Sequence, residues 1–275
     1  MAQNPLQKHF RQPKIFLKLP SSGVFCNPGT IQGDVEKLPI YGMTGMDEIM
    51  VKTPDALLNG EATVHVLQSC CPNIVNAWNI SNIDVNALLV AIRIASYGNS
   101  MTTGASCPKC TASNDFDVNL NTCLEYYSTI NFIDKIVIDD LVIKLKPLDY
   151  EQANKFSYEG FISQKRLFQI DKLEDEEQQR QGILKEFEIM KEYQFRTTLA
   201  QIESIEADDQ VVTEKEFIKE FLQNCDSYII DRIKKVFEEN SKIWAIPPIP
   251  ATCSECNHNF SFGLDMDQSS FFAHA

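Results

Sequence analysis

The 275 residues contain no Gly-x-x-x-x-Gly-Lys, no Gly-x-Gly-x-x-Gly, no His-Glu-x-x-His and no Gly-x-Ser-x-Gly. The short signatures of phosphate-cradling loops, dinucleotide folds, zinc proteases and serine hydrolases are therefore missing. Histidine is scarce: His9, His65, His258 and His274 form no cluster. No run of Lys and Arg with interleaved aromatics occurs, and the formal net charge is −13. Neutralising phosphates requires the opposite sign, which argues against a nucleic-acid partner. No apolar run approaches the ~20 residues of a bilayer-spanning helix, so no membrane partner is expected. The N-terminal MAQNPLQKHFRQPK is basic but lacks a following apolar region, unlike a secretory leader. These absences lead to the expectation of a non-enzymatic protein that stays in the cytoplasm where it is made.

What is present is an ordinary globular composition, 44% hydrophobic and 23% charged, long enough for one large domain or two small ones. Cysteine is the informative residue. There are nine, and in a reducing cytoplasm paired spacing reads as metal before disulfide. Cys107-Pro-Lys-Cys110 and Cys253-Ser-Glu-Cys256 are written in the same register. Six, eight and ten residues past the second cysteine stand Phe116, Val118 and Leu120 in one copy, and Phe262, Leu264 and Met266 in the other. Each is a tight turn followed by an alternating strand. Backbone N–H groups of the turn are expected to donate to the thiolates, and the two following strands to pair with each other. Four thiolates close a tetrahedron around one structural Zn²⁺ and leave no open position for water. A redox Cys-x-x-Cys would open a helix in a βαβ unit, and neither pair does. Iron shares the Cys₄ donor set. His258 is a weaker candidate ligand because it stands where a strand begins. Cys26, Cys70, Cys71, Cys123 and Cys225 read as inert thiols, Cys70, Cys71 and Cys123 of them beside apolar residues, with a redox site at the vicinal Cys70-Cys71 pair as the alternative.

The fold expected from these patterns is α+β: a β-rich base, a split Cys₄ zinc ribbon and a large, mainly helical insertion. Residues 1–101 form the N-terminal base, 102–148 with 246–275 the ribbon region, and 149–245 the insertion. Ile15, Leu17 and Leu19 alternate before the turn at Pro20–Gly23. Thr44 to Glu48 begins a short helix, Thr53-Pro54-Asp55 another, and Ala62–Cys70 a third. Asp84 is the expected N-cap of a helix over 84–97, which Gly98 stops in the left-handed conformation. Arg93, amid that apolar run, either snorkels or pairs with a carboxylate such as Asp84 or Asp55. KIVIDDLVIKLK over 135–146 is a hairpin. Helices are expected over 163–173 and 183–202, with Glu174–Glu177 a solvated helix start. A small hairpin turns at 207–209, and Thr213 to Glu216 is a capping box opening the next helix. A last helix carries Ile229, Ile233 and Val236, and Trp244–Pro250 is a stiff linker.

The order Leu19-Pro-Ser-Ser-Gly23, Pro54-Asp-Ala-Leu-Leu-Asn-Gly60, Asp84 to Gly98, Cys107-Pro-Lys-Cys110, a helical insertion, Cys253-Ser-Glu-Cys256 and Ser269-Ser-Phe-Phe272 resembles the baseplate hub assembly proteins of T-even-type contractile-tailed bacteriophages. The resemblance covers nearly the whole chain and is least specific over 148–244. It implies a chaperone or assembly catalyst that binds phage baseplate hub proteins in the host cytoplasm, with no active-site residue. Cys107, Cys110, Cys253 and Cys256 match as the metal site, and Asp84, Arg93 and Gly98 as framework. The alternatives are a structural component retained in the virion baseplate, a zinc-ribbon nucleic-acid binder, and a zinc- or redox-sensing protein.

Overall fold

The computed structural model describes residues 5–53, 60–264 and 271–272. The expected helix at Pro54-Asp55, the candidate Asp55, Met266 and Ser269 lie outside them. The chain divides into two compact units, Phe132–Ile243 and the remainder. Residues 132–148 thus belong with the helical insertion, and the N-terminal base and cysteine hairpins share the other unit.

In the discontinuous unit, β1 (Pro13–Leu17) and β2 (Leu38–Tyr41) form an antiparallel pair. Helices α1 (Gly45–Val51), α2 (Glu61–Cys70) and α3 (Asn82–Tyr97) follow. Thr44 caps α1 in a reciprocal box with Asp47, which satisfies orphan N–H groups at the helix start. Apolar residues surround α3 so completely that Ile83, Val85, Ala87 to Ile92 and Ala95 are all buried, the pattern of a central rather than a surface helix. Gly42 lets the end of β2 meet α3: a Cβ there would lie 2.9 Å from the Ala95 carbonyl oxygen.

The helix α3 begins two residues before the expected start, with Ser81 as its N-cap residue. The Asp84 carboxylate is engaged elsewhere: it accepts from the Ser21 N–H (2.9 Å) and the Ser21 hydroxyl (2.5 Å). Gly98 ends the helix at φ 95°, ψ 177°. That is a glycine conformation, but an extended one rather than the expected left-handed helical geometry.

The cysteine turns join β3 (Ser100–Ser106) to β4 (Ser113–Asn119) and β9 (Ile249–Thr252) to β10 (Asn259–Phe262). Each strand pairs with the one before its own turn, so the expected β4–β10 ladder is not formed. A hairpin turn returns the chain onto its own preceding strand, and that local pairing takes the backbone donors first. Helix α4 (Asn121–Thr129) follows β4 and was not foreseen. Trp244 is buried with its ring stacked on Tyr127 at 6.4 Å. The expected linker is thus anchored at Trp244 and becomes β9 from Ile249.

The continuous unit is a four-stranded antiparallel sheet, β5 (Lys135–Ile138), β6 (Leu141–Leu145), β7 (Ile202–Ala207) and β8 (Gln210–Val212), in that order. Helices α7 (Lys215–Asn224) and α8 (Ser227–Ile243) pack Ile218, Leu222, Ile229 and Ile233 against Ile136, Ile143, Leu145 and Ile205. Between β6 and β7 rises an antiparallel pair, α5 (Tyr150–Ile170) and α6 (Glu176–Gln201). α5 begins earlier than expected because Asp149 caps it, accepting from the Gln152 N–H, and α6 begins within the expected helix start at Glu174–Glu177, where Asp175 accepts from the N–H groups of Glu177 and Gln178. The expected box at Thr213 is absent. Glu214 is the N-cap residue, and the Thr213 N–H donates to the Glu214 carboxylate instead.

Candidate metal centre

Both cysteine turns fold by the same hydrogen bonds. The Cys107 N–H donates to the Ala112 carbonyl and the Thr111 N–H to that of Cys107, each at 2.9 Å. The Cys253 N–H donates to the His258 carbonyl and the Asn257 N–H to that of Cys253, each at 3.0 Å. The residue after each second cysteine takes a positive φ, 59° at Thr111 and 53° at Asn257. This winding aims the turn's backbone N–H groups at the first sulfur. Burial pushes the Cys107 thiol up, but the N–H groups of Cys110 and Lys109 outweigh it and hold the thiol below its ordinary value. The N–H of Cys256, aided by that of Glu255, draws Cys253 down to about 6. Donors fixed in this way favour the thiolate, the form that binds metal.

The two turns meet sulfur to sulfur. Cys107 Sγ lies 3.7 Å from Cys256 Sγ, and Cys110 Sγ lies 3.6 Å from Cys253 Sγ. All four ligand atoms fall within 4.8 Å of one another. A tetrahedron with metal–sulfur bonds of about 2.3 Å separates its sulfurs by about 3.8 Å, so the donor set fits a four-coordinate ion. Cys107 and Cys253 are buried while Cys110 is exposed, placing the cluster at the rim of its unit. His258 contributes a carbonyl to its turn but no ring nitrogen to the cluster.

The register shared by the two repeats reappears as contacts. Phe116 and Phe262, equivalent positions, stack at 5.2 Å, and Phe260 meets the Phe116 ring edge-on at 6.0 Å. Val118 and Leu264, the next equivalent pair, are both buried. Asn114 breaks the symmetry and was missed in the sequence. Its amide nitrogen lies 3.6 Å from Cys253 Sγ, and its Oδ1 accepts from the Ser254 N–H and hydroxyl at 2.8 Å. A polar residue one position into a strand otherwise read for its apolar periodicity was the available signal. Such outer contacts orient ligands and tune their basicity.

Burial pushes Cys70 up to about 12 and Cys71 and Cys26 up to about 11, and raises Cys123 and Cys225 as well. These thiols are held protonated. The framework residues do not form a second site. Asp84 and Arg93 are nine positions apart on α3, two and a half turns, which sets them on opposite faces. Arg93 is 1% exposed and packs against the rings of Tyr97 (5.3 Å) and Phe271 (5.6 Å). It therefore neither snorkels nor pairs with Asp84.

Burial pushes Asp84 up to about 6 against the opposing hydrogen bonds from Ser21. A carboxyl whose folded pKa exceeds its unfolded value of ~3.9 binds its proton more tightly when folded, so its contribution declines as pH rises through that interval. Asp84→Asn keeps an acceptor for the Ser21 N–H and removes the charge. The variant is expected to exceed the parent in stability at pH 8 by about 1–3 kcal/mol. Urea denaturation at pH 5 and pH 8 checks this: the gap should widen by about 1 kcal/mol at the higher pH, and a constant gap would refute it.

No curated protein and no solved structure matched the chain. A family model described as T4 bacteriophage base plate protein matches residues 13–273. The match runs from the first strand through both cysteine turns and the helical insertion between them, and the chain belongs to this family of T4 bacteriophage base plate proteins.

Proposed function

We propose that the protein is a non-enzymatic assembly factor for the baseplate hub, holding one structural Zn²⁺ on Cys107, Cys110, Cys253 and Cys256 and engaging hub subunits through its helical insertion. The observation that carries the reading is the closed donor set: four thiolates fill the coordination sphere and leave no position for substrate or water. Membership of the baseplate family supports a role in building the particle. The aromatic side chains that α5 exposes on the insertion, Tyr158, Phe161 and Phe168, support protein binding. The net charge of −13 weighs against the nucleic-acid reading. Among the described residues, no helix is long and apolar enough to cross a membrane.

The test is purification from infected cells with elemental analysis of the same sample and mass spectrometry of finished virions. About one zinc per chain, hub subunits in the complex, and absence from the virion are expected. Stoichiometric presence in the virion would establish instead the alternative that the family's own description favours, a structural baseplate component.

A further inference from the structure

Helix α5 is apolar on two opposite sides. Gly160, Ser163, Leu167 and Ile170 face α6, where Ser163 donates to Glu186 at 2.6 Å and Ile170 packs on Gly182. Phe161 and Phe168, seven residues apart, return to within about 20° of one direction, and Tyr158 lies about 60° to its side. All three point away from the α6 seam and are 51–62% exposed. Half-exposed aromatics of this size leave roughly 300 Å² of apolar surface uncovered, within the range of functional patches.

Between Ser157 and Gln169 the charge on this stripe has one sign, and the exposed Asp171 lies beyond that span. The exposed face between Ser157 and Gln169 carries Gln164 and Lys165 beside the aromatics, and Lys172 follows with its ammonium 4.0 Å from the Phe168 ring centroid. Glu159 points into the seam, where Arg196 binds it at 2.5 Å. In a chain of net charge −13, this aromatic stripe is bordered by lysine. The outer side of α6 differs: Leu184 and Phe187 are exposed there too, but Glu177 and Arg180 already pair with each other at 2.9 Å.

We infer that the Tyr158–Phe161–Phe168 stripe docks an amphipathic helix of a baseplate subunit whose apolar residues are flanked by carboxylates. Apolar anchors at helical spacing enter the stripe, and the partner's carboxylates meet Lys165 and Lys172. The inference rests on the assembly reading and names the partner's chemistry.

The experiment offers individually purified baseplate subunits of the same phage to the full-length, metal-loaded protein, reading affinity by calorimetry and location by hydrogen exchange. One subunit is expected to bind with protection over residues 157–172. Phe161→Glu with Phe168→Glu should weaken it by roughly 30-fold or more. Lys165→Glu should weaken it about fivefold and flatten its salt dependence. Leu184→Glu with Phe187→Glu should leave it intact, and circular dichroism confirms that each variant folds. A subunit that binds elsewhere, unaffected by the α5 changes, overturns this inference and leaves the assembly role standing. Protection of the stripe by a second copy of the chain, rising with concentration in the absence of any subunit, also overturns it. Binding of no subunit removes the assembly reading and this inference together.

Discussion

Replacing Cys253 with Ser is expected to abolish metal binding at the proposed Cys₄ site and melt both cysteine hairpins while α3 stays folded. β9 and β10 are four residues each and, among the described residues, pair only with each other. An isolated two-stranded hairpin is marginal in water, so this one is expected to depend on the metal proposed for the Cys₄ site and on the Phe116–Phe262 stack. Structural zinc binding in small modules supplies about 10–16 kcal/mol of apparent folding free energy. Even a fraction of that exceeds what four ladder positions contribute. The core around α3 is separate in kind: Leu19, Leu38, Ile40, Leu67, Leu88 and Ile92 are buried without any ligand. Elemental analysis should therefore show metal lost in Cys253→Ser and retained in Cys123→Ala. Hydrogen exchange should lose protection over residues 100–119 and 249–262, with residues 85–95 unchanged. A Cys253→Ser protein that keeps its metal and hairpin protection would refute the Cys₄ assignment.

The cluster was legible in the sequence because a metal site imposes ligand spacing and register on the chain itself. Two turns of equal length followed by strands in equal phase appear in any reading of residues 107–120 and 253–264. The pairing of those strands was not legible, because equal phase says which side chains share a face, not which backbone a strand bonds. The same limit explains Asp84. An acidic residue near the start of an apolar helix fits an N-cap, and only the approach of Ser21 from 63 residues away shows what its carboxylate serves. The acidic run Glu174–Glu177 marked the start of α6, but the start of α5 was not legible because Tyr150–Ile162 interleaves apolar and polar residues on more than one face. In α5 that pattern has a physical counterpart, since one face meets α6 and the opposite one meets solvent. Asn114 was missed because its role is to touch sulfur across 139 residues of sequence, a relation no local pattern encodes.

Arg93→Met is expected to stabilise the protein by about 1–3 kcal/mol. The Arg93 guanidinium is buried, and among the described residues its Nε and Nη1 have no hydrogen-bond partner. Asp84, the one carboxylate of α3's first turn, is committed to Ser21. Burial holds the Arg93 pKa below its ordinary value, the sign of a cation kept from water. Against this stand the faces of Tyr97 and Phe271, each contributing about 2 kcal/mol to a desolvated cation. Desolvation costs several kcal/mol per ion, and each unsatisfied donor adds about 1–3 kcal/mol. The unfavourable contributions are the larger. Methionine keeps the length and the contacts with both rings without the charge. Arg93→Ala removes the packing as well and should instead destabilise by about 3 kcal/mol, as large-to-small changes in cores do. Thermal and urea denaturation of the two variants beside the parent decide the matter. If methionine proves as damaging as alanine, the guanidinium is engaged by an anion in solution, and the arginine is a binding group rather than a buried strut.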